Sequence, residues 1–152
     1  MREPKFRGKG IIHNAWIYGG LAVDRKDNTV ILPKADWSKG GCVYQETVGQ
    51  YTGLRDKNNV EVYEGDILHA KAFKNLASSY EESELFDIED LKGELKADYI
   101  DKVVFEDGSF SFGSYYLDGF FGDQRHSFPI HEIEVVGNIY DNKEMLDNIK
   151  NW

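Results

Sequence analysis

Glu64 and Asp66 have a spacing suited to general acid–base work if both lie in one strand, because residues i and i+2 of a strand project to the same side. Gly65 stands between them and favours a bend, and a carboxylate where a strand begins also serves to hold backbone N–H donors. His13, His69, His126 and His131 offer ring nitrogens. A zinc site draws on histidines at i, i+4 of a helix or i, i+2 of a strand, and the spacing of His126 and His131 gives neither. Asp56 and Asn58 open a segment resembling a calcium loop. Val60 then takes the fifth ligand position, Glu61 the glycine position and Ile67 that of the bidentate glutamate, so the segment reads as a hairpin turn. Cys42 is the single cysteine, which leaves no internal disulfide and no paired-cysteine metal knuckle, and as a nucleophile it needs a base brought close in space. The chain has no Gly-x-Ser-x-Gly elbow and no phosphate-binding Gly-x-x-x-x-Gly-Lys-[Ser/Thr] loop, and Gly8-Lys9-Gly10 lacks the third glycine of a dinucleotide fingerprint. No catalytic residue, metal or cofactor is therefore assigned, and a non-enzymatic role is expected.

Charge is distributed unevenly. The net charge is −9, yet residues 1–60 carry ten Lys/Arg against six Asp/Glu, while residues 78–107 carry three against eleven. A net field of that sign repels phosphate, so generic nucleic-acid binding is disfavoured. The exception is the N-terminal end, where Arg2, Lys5, Arg7 and Lys9 alternate around Phe6 and could form an anion-contacting arm or simply a solubilising start to a strand. The acidic stretch suggests a further possibility, a decoy that mimics phosphate spacing for a host DNA-binding protein.

The elements that position these residues are mostly strands. The chain has 152 residues, a length suited to one domain, with 45 β-branched and aromatic residues against 19 Ala, Leu and Met. Alternation predicts a strand over 11–18 with Ile12, Trp16 and Tyr18 on one face, then a polar turn at 25–28, a strand at 29–32 ended by Pro33, and a loop over 34–42. Asp56-Lys57-Asn58-Asn59 and Asp107-Gly108 each lie between alternating apolar runs and predict tight hairpin turns. Ser78-x-x-Glu81 and Ser79-x-x-Glu82 fit a capping box, and Leu85, Ile88, Leu91 and Leu95 follow at helical spacing. An acidic helical insertion is therefore expected near 78–92, ending at Gly93. Strands return at 99–106, 109–116 and 132–140, and Asn142 stands at the N-cap position of a short C-terminal helix, about 142–150. The aromatics Tyr51, Tyr63, Phe110, Phe112, Tyr115 and Tyr116 read as core, since no Lys or Arg is interleaved with Phe110–Tyr116 as a base-stacking platform requires. No apolar run approaches the length of a membrane span, and no basic-then-apolar leader opens the chain, so a cytoplasmic setting is expected.

Residues 50–68 carry a more specific signal. Gln-Tyr-Thr-Gly-Leu-x-Asp-Lys-Asn followed by Val-Tyr-Glu-Gly-Asp-Ile resembles the hallmark of the YopX family of bacteriophage and prophage proteins. Met1-Arg2-Glu3 with Lys5–Lys9 resembles the family's opening, Trp16-Ile17-Tyr18-Gly19 follows at the family's distance, and Val136–Asn142 is similar to its closing segment. The likeness extends over nearly the whole chain outside 74–98. Asn59 stands where the family usually has glycine, and Lys143 where it often has proline. The resemblance implies a mainly β fold in a single domain: a β lobe over about 1–50, then an SH3-like small barrel over about 51–141 with the insertion at about 74–98, the motif turn joining the two. It implies phage or prophage origin and no particular reaction. Carried over residue by residue, Tyr51, Thr52, Gly53, Leu54, Asp56, Tyr63, Glu64, Gly65 and Asp66 match the motif. Each has a structural explanation (Asp66 at an exposed strand start among them) beside a role in partner binding. The reading that follows is a non-catalytic binding or assembly module, with a homo-oligomer or an unknown host or phage protein as partner and no membrane association.

Overall fold

The computed structural model describes residues 4–76, 92–112, 115–116 and 130–149. The chain divides into two compact units, Met1–Arg55 with Glu61–Gly65, and Asp56–Val60 with Asp66–Trp152. No helix among the described residues is long and apolar enough to cross a membrane.

The first unit is an antiparallel sheet of β1 (Phe6–Lys9), β2 (Trp16–Val23), β3 (Thr29–Leu32), β4 (Gly41–Cys42), β5 (Gly49–Arg55) and β6 (Glu61–Tyr63), in the order β4-β3-β2-β1-β5-β6. β1 lies between β2, with Phe6 opposite Gly19 and Lys9 opposite Trp16, and β5, with Phe6 opposite Gln50. Asp24 shapes the β2–β3 turn: its Oδ1 accepts from the N–H groups of Lys26 at 2.8 Å and Asn28 at 2.9 Å, and Asp27 takes a left-handed φ of 63°. Gly19 lies against β3 so closely that a Cβ would sit 2.2 Å from the Leu32 carbonyl oxygen, which only glycine permits. Ile31, Val43, Val62 and Tyr63 are buried apolar residues of this unit. Thr47, in the 3-10 turn Gln45–Thr47, ties that turn to β1: its Oγ1 accepts from the Lys9 N–H at 2.8 Å and donates to the Tyr44 carbonyl at 2.6 Å.

β2 begins later than alternation predicts. The Gly10 N–H donates to the Ala15 carbonyl, Asn14 adopts a φ of 53°, and the chain reverses over residues 11–14, leaving Ile12 84% exposed. The loop over 34–42 contains a 3-10 turn, Trp37–Lys39, capped by Asp36, whose Oδ1 accepts from the Ser38 N–H at 3.0 Å and the Ser38 hydroxyl at 2.5 Å. That turn displays Trp37 outward.

The second unit holds β7 (Asp66–Asn75), β8 (Lys92–Glu106), β9 (Ser109–Phe112), β10 (Tyr115–Tyr116) and β11 (Ile130–Asn138), in the order β10-β9-β8-β7-β11, then helix α1 (Lys143–Ile149). The β7–β8 ladder runs from Ile67 opposite Lys102 to Asn75 opposite Lys92. Asp107 and Gly108 have φ of 52° and 78°, the left-handed pair a two-residue primed turn requires, and β8 and β9 close on it as expected. Ile67, Leu68, Val103, Phe110, Phe112 and Ile133 are buried in this unit, and the Phe112 ring stacks on Tyr99 with centroids 5.3 Å apart.

Two expectations need correction here. Residues 92–98 are strand, so Gly93 does not end a helix and Leu95 is a strand residue, 46% exposed, outside any helical stripe. Residues 78–91, expected as the body of that helix, lie outside the described residues. The SH3-like barrel is also not formed among the described residues, where the strand order is that of an open sheet. The physical reason lies at β11, whose outer edge, among the described residues, is met by a turn: the Lys57 N–H donates to the Ile133 carbonyl at 3.0 Å, and the Val135 N–H donates to Asp56 Oδ2 at 2.9 Å.

Candidate functional site

The motif's arms, β5 and β6, are held by a hydroxyl. Thr52, 1% exposed, donates from Oγ1 to the Val62 carbonyl at 2.8 Å and accepts from the Leu54 N–H at 3.2 Å, while Gly53 takes a φ of 87° between them. Tyr51 stands opposite Tyr63, with ring centroids 5.5 Å apart, and Tyr18 packs on the same Tyr63 ring in a T-shape at 5.5 Å. Burial holds the Tyr63 hydroxyl well above its ordinary pKa, and the nearby Glu61 carboxylate adds to the shift.

The tip of the hairpin, Asp56–Val60, is organised by one buried carboxylate. Asp56 Oδ1 accepts from the N–H groups of Asn58 at 2.8 Å and Val60 at 2.9 Å, while Oδ2 accepts from Val135 in β11. Asn59 occupies the left-handed conformation at φ 65°. Lys57 lies within ion-pair distance of Glu132 at 3.4 Å and Glu134 at 3.3 Å, and these carboxylates, Glu134 foremost, hold its ammonium pKa up. The Asp56 carboxylate therefore does the work of a strand carbonyl, accepting from the backbone of β11.

Glu64 and Asp66 are not aligned along one strand. Gly65 takes a φ of 90° between them, so they are not i, i+2 neighbours of one strand: Glu64 follows β6 and Asp66 begins β7 opposite Asn138. Asp66 is 1% exposed, which corrects the expectation of an exposed strand start. Glu64 is half-buried; desolvation pushes its carboxyl above the usual range, opposed by the Gln50 N–H and the Arg7 charge. In the closing segment, Asn138 and Asn142 hold each other. The Asn142 side-chain oxygen accepts from the Asn138 N–H at 3.1 Å, so Asn142 precedes α1 with its side chain turned back to the strand.

Of the N-terminal cations, Arg2 lies outside the described residues and the other three face inward partners. Arg7 is 5% exposed, with its guanidinium 4.6 Å from the Trp16 ring and 5.0 Å from the Tyr63 ring, and it donates to the Glu64 carbonyl at 3.4 Å. Lys5 donates to both Glu61 carboxylate oxygens, at 2.7 and 2.9 Å. The Lys9 ammonium lies over Trp16 at 5.8 Å. Arginine on an exposed arm contacts phosphate; arginine between two rings holds a sheet together.

Sequence reasoning missed a groove of about 560 Å³ on the first unit, lined by Tyr18, Gly19-Gly20, Leu21, Pro33, Lys34 and Trp37 among others. Tyr18, Leu21 and Trp37 are 42, 44 and 72% exposed there. The available signal was Trp37 beside Asp36 and Ser38, a capped turn with an aromatic at its apex, but its neighbours in space follow from sheet register and not from sequence order.

Comparison with known families decides the kinship. The model of the YopX protein family matches residues 5–147. This chain belongs to the YopX family. Among solved structures, it resembles the crystal structure of protein EF1440 from Enterococcus faecalis with a TM-score of 0.51 and 20% identity, covering 96% of this chain and 99% of that one, a likeness of fold. No curated protein matches. In this YopX chain the signature thus has a physical content. Residues of its hallmark and of its closing segment both hold β11: Asp56 accepts from the Val135 N–H, and Asn142 accepts from the Asn138 N–H at that strand's end.

Proposed function

We propose that this YopX-family chain is a non-catalytic binding module, of phage or prophage origin and acting in the bacterial cytoplasm, that engages a partner through the groove of its first unit. The observation that carries the reading is the outward display of Trp37 beside Tyr18 and Leu21. The motif residues support it from the other side. Asp56 has both oxygens bonded to backbone donors, Thr52 is bonded on both of its hydrogen-bonding roles, and the Glu64–Asp66 spacing is broken at Gly65, so the signature maintains the fold and not a reaction. The inward bonding of Arg7 and Lys5 weighs against a nucleic-acid arm.

The test compares tagged wild type with the double substitution Trp37→Ser, Leu21→Ser in the bacterial host, with photo-crosslinking before capture. A partner recovered with wild type and lost from a variant that melts within a few degrees of it supports the reading. The same captured set from both proteins overturns it. A second copy of the chain is the other occupant to consider, and light scattering behind size exclusion distinguishes it, because a monomer at high micromolar concentration excludes self-assembly.

A further inference from the structure

Among the described residues, the non-glycine positions with left-handed backbone are Asn14, Asp27, Asn59 and Asp107. Each is an Asp or Asn, whose side-chain carbonyl carbon can close a five-membered ring with the amide nitrogen of the next residue. Such a ring forms where that nitrogen is neither bonded nor shielded. After Asp27, the Asn28 N–H donates to Asp24 Oδ1 at 2.9 Å. After Asn59, the Val60 N–H donates to Asp56 Oδ1 at 2.9 Å. Asn14 precedes Ala15, whose methyl group hinders the approach. Asp107 differs from all three. Its neighbour is Gly108, and among the described residues no hydrogen bond engages the Gly108 N–H or the Asp107 carboxylate. Both residues are exposed, and no atom lies within 4 Å of a Cβ built on Gly108. A carboxyl group and an unprotected amide nitrogen thus share one open turn, with no side chain on the glycine to keep them apart.

We propose that Asp107-Gly108 is a self-modification site, where the chain isomerises to isoaspartate and so unlatches the β8–β9 hairpin. The Gly108 nitrogen attacks Cγ of the protonated Asp107 carboxyl. The C–N bond forms as the C–OH bond breaks, and the hydroxyl leaves with the amide proton as water. Water then adds back to the ring. Addition at Cγ restores aspartate, whereas addition at the main-chain carbonyl leaves the chain running through Cβ, with an extra methylene in the backbone and a free α-carboxylate. Mass is unchanged, and no oxidant, reductant or cofactor takes part. The extra methylene does not fit a two-residue primed turn, on which the pairs from Glu106 opposite Ser109 to Val103 opposite Phe112 depend.

The test ages the full folded chain for weeks at neutral pH and physiological temperature in heavy-oxygen water, then maps its peptides by electron-transfer fragmentation. Isoaspartate is expected at residue 107, carrying one heavy oxygen, because reopening the ring adds solvent there. An isoaspartyl methyltransferase should label the same peptide. Gly108→Ala, whose methyl meets no neighbour in the fold, should slow formation roughly tenfold or more. In the modified fraction, the amides of residues 109–112 should exchange hydrogen roughly tenfold faster or more than in the parent. Asp118-Gly119 has the same dipeptide and lies outside the described residues, and fragmentation separates its products from those at 107. Four results overturn the proposal: no isoaspartate at 107, isoaspartate there only in chain aged in urea, an equal rate in Gly108→Ala, or hairpin amides as protected in the modified chain as in the parent.

Discussion

At the residue scale, Asp56 has the largest predicted effect. Its carboxylate takes three backbone donors, two within its own turn and one from β11. Removing it takes the acceptor from three part-buried backbone N–H bonds, each worth on the order of 1 kcal/mol. Asp56→Ala is therefore expected to lower the unfolding free energy by about 3 kcal/mol in urea titrations. Asp56→Asn should cost less, because one oxygen remains to accept within the turn. Glu64 makes a prediction of opposite sign. Burial raises its pKa, so the folded state favours the protonated form and carries the charge at a cost above that value. The cost disappears as pH falls below the unfolded value. Glu64→Gln is expected to be more stable than the parent at pH 7, with the difference vanishing near about pH 4, as thermal melts across pH would show. Neither effect follows from residue type alone. The turn propensity of Asp56 is legible in sequence, but its third bond reaches Val135, which only the folded register brings near.

At the element scale, the turns were legible and the long strand was not. Asp107-Gly108 and Asn59 announce left-handed backbone, and the structure places φ of 52°, 78° and 65° there. Local chemistry settles such positions because a side chain other than Asn or Asp pays a steric cost in that region. Gly108 isolates the effect, since no atom lies within 4 Å of a Cβ built there. Gly108→Ala should cost about 1 kcal/mol through conformation alone, read as a lower unfolding midpoint with an unchanged urea slope. The start of β8 misled for a physical reason. Leucines at 85, 91 and 95 fit a 3.6-residue period, while the carboxylates and lysines between them do not alternate cleanly. Pairing with β7, from Phe73 opposite Leu95 to Ile67 opposite Lys102, sets that segment's conformation against its local pattern. The reversal at 11–14 misled in the opposite direction, with apolar Ile11 and Ile12 exposed on a turn.

At the scale of the whole molecule, ion pairs between distant stretches of chain tie stability to pH. Glu132 is held below the usual carboxylate range mainly by the hydrogen bond from Lys92, whose Nζ lies 2.6 Å from its Oε2, opposed by burial and assisted by Lys57. A carboxyl depressed by folding contributes stability above its unfolded pKa and loses it as pH falls through the lower, folded value. Lys92→Met should cost up to about 1 kcal/mol at neutral pH, and parent and variant should converge in acid, as urea midpoints measured from pH 7 downward would show. The mainly β class, the hairpins and the kinship at 50–68 are all visible along the chain. The groove is not, because its walls come from separate stretches joined by register: Pro4-Lys5, Tyr18–Ala22, and Leu32–Ala35 with Trp37. One feature of that groove supplies its own instrument. The indole of Trp16 is shielded against the Arg7 guanidinium, whereas that of Trp37 stands 72% open to water. Anything seated beside Trp37 must dehydrate that ring, shifting its emission to the blue and protecting it from iodide quenching. The part of the signal that disappears in Trp37→Phe then reports occupancy without any label.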